Sequence, residues 1–132
     1  MAELTPEVQT VLEGKNFWSL ATINPDGTPQ NTVVWVKTRD GKIVVNTALG
    51  RRKPRNLAQN PNVALSWFDP DNPYSNIGIQ GKVVDTYTGP EAEADIDSLA
   101  KKYIDQDVYP WRKEGEERVT YVIEPTYVHA RM

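Results

Sequence analysis

Two turn signals near the start of the chain constrain its fold most strongly. Pro25-Asp26-Gly27 and Asp40-Gly41 both lie between stretches rich in β-branched and aromatic residues. Such turns connect neighbouring antiparallel strands, because glycine adopts the positive φ of a tight turn without steric cost. The sequence therefore predicts three consecutive antiparallel strands, over 17–24, 28–39 and 42–47.

The second of these strands carries the run Val33-Val34-Trp35-Val36, which lacks polar alternation. Unbroken apolar runs are typical of strands that are covered on both faces. We therefore expect one long strand over 28–39 with neither face exposed.

The remainder of the chain predicts more strands and three helices. Helices are expected from Pro6 to Gly14, from near Pro54 to before Pro61, and from about 90 to 104. Further strands are expected over 63–68, 77–87 and 118–124, the last continuing weakly to 131, with a loop over 69–73. Gly78 and Gly81 lie inside one strand, which indicates a bulge or bend. Six to seven antiparallel strands with two to three short helices predict one mainly β domain of α+β type over 1–132, a small barrel.

Composition excludes several classes of chemistry. With no cysteine and only one histidine, His129, the 132 residues offer no disulfide, no thiolate or multi-histidine metal site and no cysteine nucleophile. A net charge of −3 gives no general reason to expect nucleic acid as a partner. There is no signal-peptide pattern and no membrane-length apolar run, so we expect a cytoplasmic protein without a membrane partner. Its chemistry should therefore come from a bound organic cofactor.

A basic cluster, Arg51, Arg52, Lys53 and Arg55, lies at the predicted start of the second helix. Free backbone N–H groups at a helix start favour phosphate, and arginine and lysine add charge-assisted hydrogen bonds. From these residues alone, a solvated surface turn is the simpler explanation. The role of Trp35 also has two interpretations, because a tryptophan on a buried strand either packs in the core or forms a wall against which a planar ring binds. A further hypothesis is that nucleic-acid bases stack on Trp18, Trp35 and Trp67. The negative net charge of the chain disfavours it.

The order of the motifs, more than any single one, resembles a known superfamily. Ser-Leu-Ala-Thr-Ile-x-Pro-Asp-Gly-x-Pro at 19–29 precedes a valine-rich strand, Arg-Arg-Lys-Pro-Arg-Asn-Leu at 51–57 and Asn-Pro-x-Val-Ala-Leu at 60–65. This order resembles the pyridoxamine 5′-phosphate oxidase-like split β-barrel proteins, which bind flavins or deazaflavins. Within them it is most similar to the coenzyme F420-dependent branch typical of actinobacteria.

The resemblance implies a homodimer with two cofactor sites between the protomers. Arg52 and Lys53 match the phosphate ligands of the superfamily, and Asn76 matches a polar residue that serves the same or the partner site. Tyr103, Tyr109 and Trp111 are candidates for the dimer interface. The full set of expected cofactor-binding residues is Thr32, Val33, Trp35, Asn46, Thr47, Arg51, Arg52, Lys53, Asn56, Asn76 and Gln80.

The function implied by the resemblance is hydride transfer from reduced coenzyme F420 to an electrophilic small-molecule acceptor. The alternatives are an FMN-dependent oxidase or reductase and a non-catalytic F420-binding protein. Arg51 and Arg55 exceed what one FMN phosphate needs, which favours the longer anionic tail of F420. The sequence up to Met132 shows no counterpart of the extension with which pyridoxamine phosphate oxidases hold their substrate, so we expect a different substrate.

Overall fold

The computed structural model describes residues 2–132, which form one antiparallel sheet of seven strands and three helices. The helices are α1 (Pro6–Glu13), α2 (Arg52–Gln59) and α3 (Pro90–Ile104). The strands are β1 (Trp18–Ile23), β2 (Pro29–Val34), β3 (Lys37–Arg39), β4 (Lys42–Ala48), β5 (Asn62–Asp69), β6 (Asn72–Thr88) and β7 (Arg118–Arg131). The prediction of a mainly β fold with six to seven strands is confirmed.

The two edges of the sheet are joined by a very short piece of chain. The strand order is β2-β1-β5-β6-β7-β4-β3, so β2 and β3 lie at opposite edges. Only Trp35 and Val36 separate them, and three Cα steps span at most about 11 Å. The sheet must therefore curl until its edges meet, which produces a barrel that is split between β2 and β3.

The prediction of one strand over 28–39 is wrong, and so is the prediction of a three-stranded meander. β2 pairs only with β1, whereas β3 pairs with β4 and β4 pairs with β7. Both turns are nevertheless tight connections, and Asp40 and Gly41 have φ values of 52° and 76°. The predicted strand is interrupted at residues 35–36, between the β1–β2 hairpin and the β3–β4 hairpin. The interruption occurs because Val36 turns into the core, where it is fully buried.

The expectation that both faces of the apolar run are buried is also wrong. β2 is an edge strand whose residues alternate between exposed and half-buried, and the side chain of Val33 is 69% exposed. An apolar run indicates coverage on average, but it does not identify which strand becomes the edge of the sheet.

The link between β2 and β3, residues 35–36, is held by the C-terminal end of α3. The Val36 N–H donates to the Tyr103 hydroxyl at 3.2 Å, and the Val36 carbonyl accepts from Lys102 Nζ at 2.6 Å. The Tyr103 hydroxyl donates in turn to the Asn16 carbonyl at 2.6 Å. The Trp35 ring stacks on the Tyr103 ring with centroids 5.3 Å apart. Backbone groups that no strand satisfies are therefore satisfied by side chains.

Two elements begin earlier than expected, and the expected weak continuation of the last strand to 131 is a regular part of that strand. α2 begins at Arg52, two residues before Pro54, and has Arg51 as its N-cap. β6 begins at Asn72, inside the predicted loop over 69–73, so β5 and β6 are joined by a tight turn. β7 runs without interruption through Pro125 to Arg131.

The core forms two apolar clusters. The larger fills the barrel and is closed at one side by Val8 and Leu12 of α1. The smaller consists of Ile96, Leu99 and Tyr103 on α3, with Trp35 and Tyr109 packed against it. None of the helices over 2–132 has both the length and the apolar character that a membrane crossing requires.

Gly81 lies where β6 bends against β7. The register between these strands shifts between Gln80 and Gly81, which confirms the predicted irregularity. A Cβ atom at Gly81 would lie 2.7 Å from Ile123 Cγ2 and 2.9 Å from the Glu124 carbonyl oxygen. The strands approach so closely here that only glycine fits.

We expect Gly81→Ala to lower the free energy of unfolding by about 1–3 kcal/mol, because it overpacks the contact with β7. The matched control is Gly78→Ala in the same strand, since a Cβ there would meet no atom within 4 Å. Urea unfolding of the two variants checks the prediction. Equal losses of stability in both variants would contradict it.

Candidate functional site

A pocket of about 220 Å³ opens above the link between β2 and β3. We call it the Trp35 pocket. Its basic and polar lining consists of Arg51, Lys53, Arg118, Asn46 and Thr47. Its aromatic and aliphatic lining consists of Trp35, Tyr109, Trp111, Val33, Val34, Ile96 and Leu99. Among the residues that the structure describes, the lining therefore combines three cations with a wall of aromatic rings and contains no carboxylate.

Lys53 brings a poorly compensated positive charge to this pocket. Its side chain is half-buried, and Nζ donates a hydrogen bond to Thr32 Oγ1 at 2.7 Å. No carboxylate within residues 2–132 forms an ion pair with it. Burial lowers the pKa of Lys53, and the nearby Arg51 lowers it further. An anionic ligand at this position would supply the missing counter-charge.

Arg118 and Asn46 form the polar floor of the pocket. The Arg118 side chain is only 3% exposed. Its Nε donates to Asn46 Oδ1 at 2.9 Å, and its Nη1 donates to Glu116 Oε1 at 3.1 Å. Asn46 Nδ2 donates to the Thr120 hydroxyl at 3.0 Å. Arg118 also lies over the Tyr109 ring, 5.0 Å from its centroid.

A buried carboxylate, Asp95 on α3, extends this network into the protein. The Thr120 hydroxyl donates to Asp95 Oδ2 at 2.8 Å, so hydrogen bonds run from Arg118 through Asn46 and Thr120 to Asp95. The other groups that donate to Asp95 are Lys37, Arg39 and Tyr87. Burial acts to raise the pKa of Asp95, but these four hydrogen bonds outweigh it and lower the pKa to about 2.

The aromatic wall, formed by Trp35, Tyr109 and Trp111, faces the polar floor. The Tyr109 ring meets Trp35 edge-on at 6.2 Å and Trp111 edge-on at 5.8 Å. Tyr109 and Trp111 belong to the segment between α3 and β7. Arg112 anchors this segment to α3 through Glu93 at 2.8 Å and Asp97 at 2.9 Å. Tyr109 and Trp111 are therefore carried by a loop that ion pairs hold in place, whereas Trp35 belongs to the link between β2 and β3.

The structure brings most of the expected cofactor-binding residues to one place. Those that line the Trp35 pocket are Val33, Trp35, Asn46, Thr47, Arg51 and Lys53. Thr32 lies beside them, because its hydroxyl accepts the hydrogen bond of Lys53.

Four of the expected residues lie elsewhere in the protomer. Arg52 is exposed and donates to Asn24 Oδ1 at 3.2 Å. Asn56 is buried and donates to Thr22 and Asn24, so it attaches α2 to β1. Asn76 lines a groove with Ser66 and His129, and Gln80 lines a groove with Ala21 and Thr126.

Sequence reasoning missed Arg118 and assigned the aromatic residues differently. Arg118 is an isolated charge at the start of a predicted strand, and only the pairing of β4 with β7, which sets it opposite Ala48, carries it to the pocket. The expectation that Tyr103 lies at a dimer interface is wrong, because Tyr103 is buried within its own protomer. Tyr109 and Trp111, expected at the same interface, line the pocket.

The family model described as pyridoxamine 5′-phosphate oxidase matches residues 4–132. This chain belongs to the pyridoxamine 5′-phosphate oxidase family. A pyridoxine/pyridoxamine 5′-phosphate oxidase of Hahella chejuensis is 37% identical over 68 residues, which are 49% of this chain and 32% of that protein. The region of similarity thus spans about a third of that relative.

Two solved structures show the same fold. One, described as an F420 reductase, has a TM-score of 0.82 and 32% identity, covering 93% of this chain and 96% of the other. A conserved hypothetical protein of Mycobacterium tuberculosis has a TM-score of 0.72 and 24% identity, covering 97% of this chain and 86% of the other. The split β-barrel expected from the sequence is therefore confirmed.

We expect Asp95→Asn to lower the free energy of unfolding at neutral pH by about 2 kcal/mol, the value that corresponds to a shift of this carboxyl from 3.8 to about 2. Because the folded-state pKa is depressed, the stabilisation is present above the unfolded pKa and is lost as the pH falls through the folded one. The stability difference between wild type and variant should therefore shrink from about pH 4 to pH 2. Urea unfolding across this range measures it, and a difference that is independent of pH would contradict the assignment.

Proposed function

We propose that the Trp35 pocket binds coenzyme F420 and that the protein is an F420-dependent reductase of small electrophilic acceptors. The observation that carries the proposal is the half-buried Lys53, which lies beside Arg51 and forms no ion pair with a carboxylate of the described residues 2–132. A phosphate at this position would neutralise the charge and accept hydrogen bonds from both side chains. The first backbone N–H groups of α2, which has no side-chain cap, would add a favourable partial charge.

The rest of the pocket suits the planar ring of such a cofactor. Trp35 and Tyr109 offer apolar ring surface, and the floor beneath them offers polar groups at Asn46 and Arg118. When bound, the deazaflavin would supply a hydride from the carbon that replaces N5 of a flavin. The residues of this chain would bind and orient the ring, while Tyr109 and Trp111 would limit the access of water to it.

Two observations favour F420 over FMN. Over residues 2–132, the lining contains Arg51, Lys53 and Arg118 but no carboxylate. F420 carries more negative charge along its tail than FMN does. The similar structure described as an F420 reductase matches nearly the full length of this chain at 32% identity. FMN is the second candidate, because the family model is that of an oxidase.

We further propose that the protein is a homodimer with cofactor sites between the protomers. Large apolar side chains are exposed along two grooves of about 470 and 430 Å³. Phe17 and Phe68 line these grooves and are 54% and 59% exposed, and Tyr74, between the lining residues Pro73 and Asn76 in the chain, is 74% exposed. Such a surface is typical of an interface. Asn76 and Gln80, which lie away from the Trp35 pocket, would then reach the cofactor of a second copy.

Fluorescence titration of the purified protein with F420 and with FMN tests the proposal. We expect low-micromolar or tighter binding of F420 and much weaker binding of FMN, because only F420 uses the whole basic mouth of the pocket. The reverse preference would make the protein a flavoprotein. Binding of neither would refute the cofactor site.

Lys53→Ala should weaken F420 binding by about 1.5–3 kcal/mol, the usual contribution of a charged hydrogen bond. The sequence counted Arg55 toward the tail of F420, but the structure places this residue at an exposed position of the same helix, outside the pocket lining. The matched control is therefore Arg55→Ala, which removes the same charge. We expect the control to bind F420 like the wild type in the same titration. Equal weakening by both variants would show a diffuse charge effect in place of a phosphate ligand.

A further inference from the structure

Arg118 has more hydrogen-bond donors than the protein uses. A guanidinium group carries five N–H donors. In Arg118, Nε donates to Asn46 and Nη1 donates to Glu116, while Nη2 has no hydrogen-bond partner within residues 2–132. The side chain is 97% buried and lines the Trp35 pocket. Among residues 2–132, the one fully buried side-chain nitrogen or oxygen without a partner is Trp18 Nε1, so Arg118 Nη2 is not sealed in the core. It is open to the pocket, where a ligand would complete its hydrogen bonding.

The surroundings of Arg118 hold it in one orientation. Asn46, which accepts from Nε, is itself fixed, because Nδ2 donates to the Ala92 carbonyl at 2.9 Å and to the Thr120 hydroxyl at 3.0 Å. The Tyr109 ring covers the guanidinium at 5.0 Å. Residues that are held in this way are suited to recognition, because a ligand does not have to order them.

The local charge balance identifies what Nη2 would bind. Glu116 is shared by two arginines, since Oε1 accepts from Arg118 at 3.1 Å and Oε2 accepts from Arg51 at 3.5 Å. Glu93 also lies near, because its Oε2 accepts from the Arg118 backbone N–H at 3.4 Å, but its ion pair is with Arg112. Within residues 2–132, the two guanidinium groups of Arg51 and Arg118 therefore share one carboxylate in ion pairs, and Lys53 adds a third positive charge to the pocket lining. An oxygen with negative or partly negative charge is the group that this site lacks.

Arg118 lies between the basic start of α2 and the aromatic wall. It shares Glu116 with Arg51, but its guanidinium group lies over the Tyr109 ring, whose edge meets Trp35. A planar cofactor ring would pack against these aromatic side chains, so an oxygen of that ring is the acceptor that Nη2 would meet. We propose that Arg118 is a specificity-determining residue that donates from Nη2 to an oxygen of the bound cofactor's planar ring. The inference rests on the proposed cofactor site and divides that site into two parts. Lys53 and the start of α2 would bind the phosphate, and Arg118 would bind the ring.

Two matched pairs of ligands test this division. The first pair is F420 and the phosphate-free 8-hydroxy-5-deazariboflavin, and the second is FMN and riboflavin. We expect Arg118→Gln to weaken both members of the preferred pair by the same factor, about 10- to 100-fold. Lys53→Ala should weaken only the phosphorylated member. The shift of the ring's absorption spectrum on binding should be reduced in Arg118→Gln and retained in Lys53→Ala.

The outcomes separate this inference from the choice of cofactor. If FMN and riboflavin bind and F420 does not, the proposed cofactor is wrong. In that case, equal weakening of FMN and riboflavin binding by Arg118→Gln would still support the role of Arg118. Loss of F420 binding alone in Arg118→Gln would make Arg118 a phosphate ligand and overturn the inference, as would unchanged binding of both members. Binding of none of the four ligands by the wild type would refute both proposals.

A second variant distinguishes loss of binding from loss of folding. Arg118→Lys keeps the positive charge but loses the planar set of donors that contacts Asn46, Glu116 and the ring at once. Its melting temperature and that of Arg118→Gln report whether each folds. We expect Arg118→Lys to weaken the two members of the preferred pair equally, by a smaller factor than Arg118→Gln. Unequal weakening in a folded Arg118→Lys would overturn the inference.

Discussion

The two-residue link at Trp35 and Val36 is the constraint on which the rest of this structure depends. It joins strands from opposite edges of a seven-stranded sheet, so the sheet cannot remain open. Because the link has no strand partner, its backbone groups need other partners, which Tyr103 and Lys102 provide from α3. The same link places the Trp35 ring at the split of the barrel, where the pocket forms. The same two residues therefore both close the barrel and place an aromatic side chain in the pocket.

Helix α3 connects the stability of the barrel with the geometry of the pocket. Tyr103 holds the link, and Asp95 attaches the helix to β3 and, through Thr120, to the polar floor. A buried carboxylate with four donors is costly to disturb, since each lost donor leaves its charge less well compensated. The network therefore holds Asn46 and Arg118 in fixed orientations in the lining of the Trp35 pocket.

Predictions from the sequence were correct where the controlling interaction was local. The turn at Asp40-Gly41 was predictable because the φ requirement falls on those two residues themselves. Arg51 and Lys53 could be recognised together because they are close in the chain and precede a helix. Arg52 and Asn56 lie in the same stretch of sequence, but the packing of α2 on β1 directs their side chains away from the pocket. Arg52 donates to Asn24, and Asn56 donates to Thr22. Arg118 had no local signal, since it reaches the pocket only through the pairing of β7 with β4.

The sequence by itself determined the class of the fold, the main turns and the basic start of α2, because glycine conformations, apolar periodicity and clustered charge act over a few residues. The tertiary structure decided that 28–39 is two strands at opposite edges, that Val33 is exposed, and that Arg118 shares a pocket with Lys53. These features depend on contacts between residues far apart in the chain. They follow from the closure of the whole sheet, which no local pattern specifies.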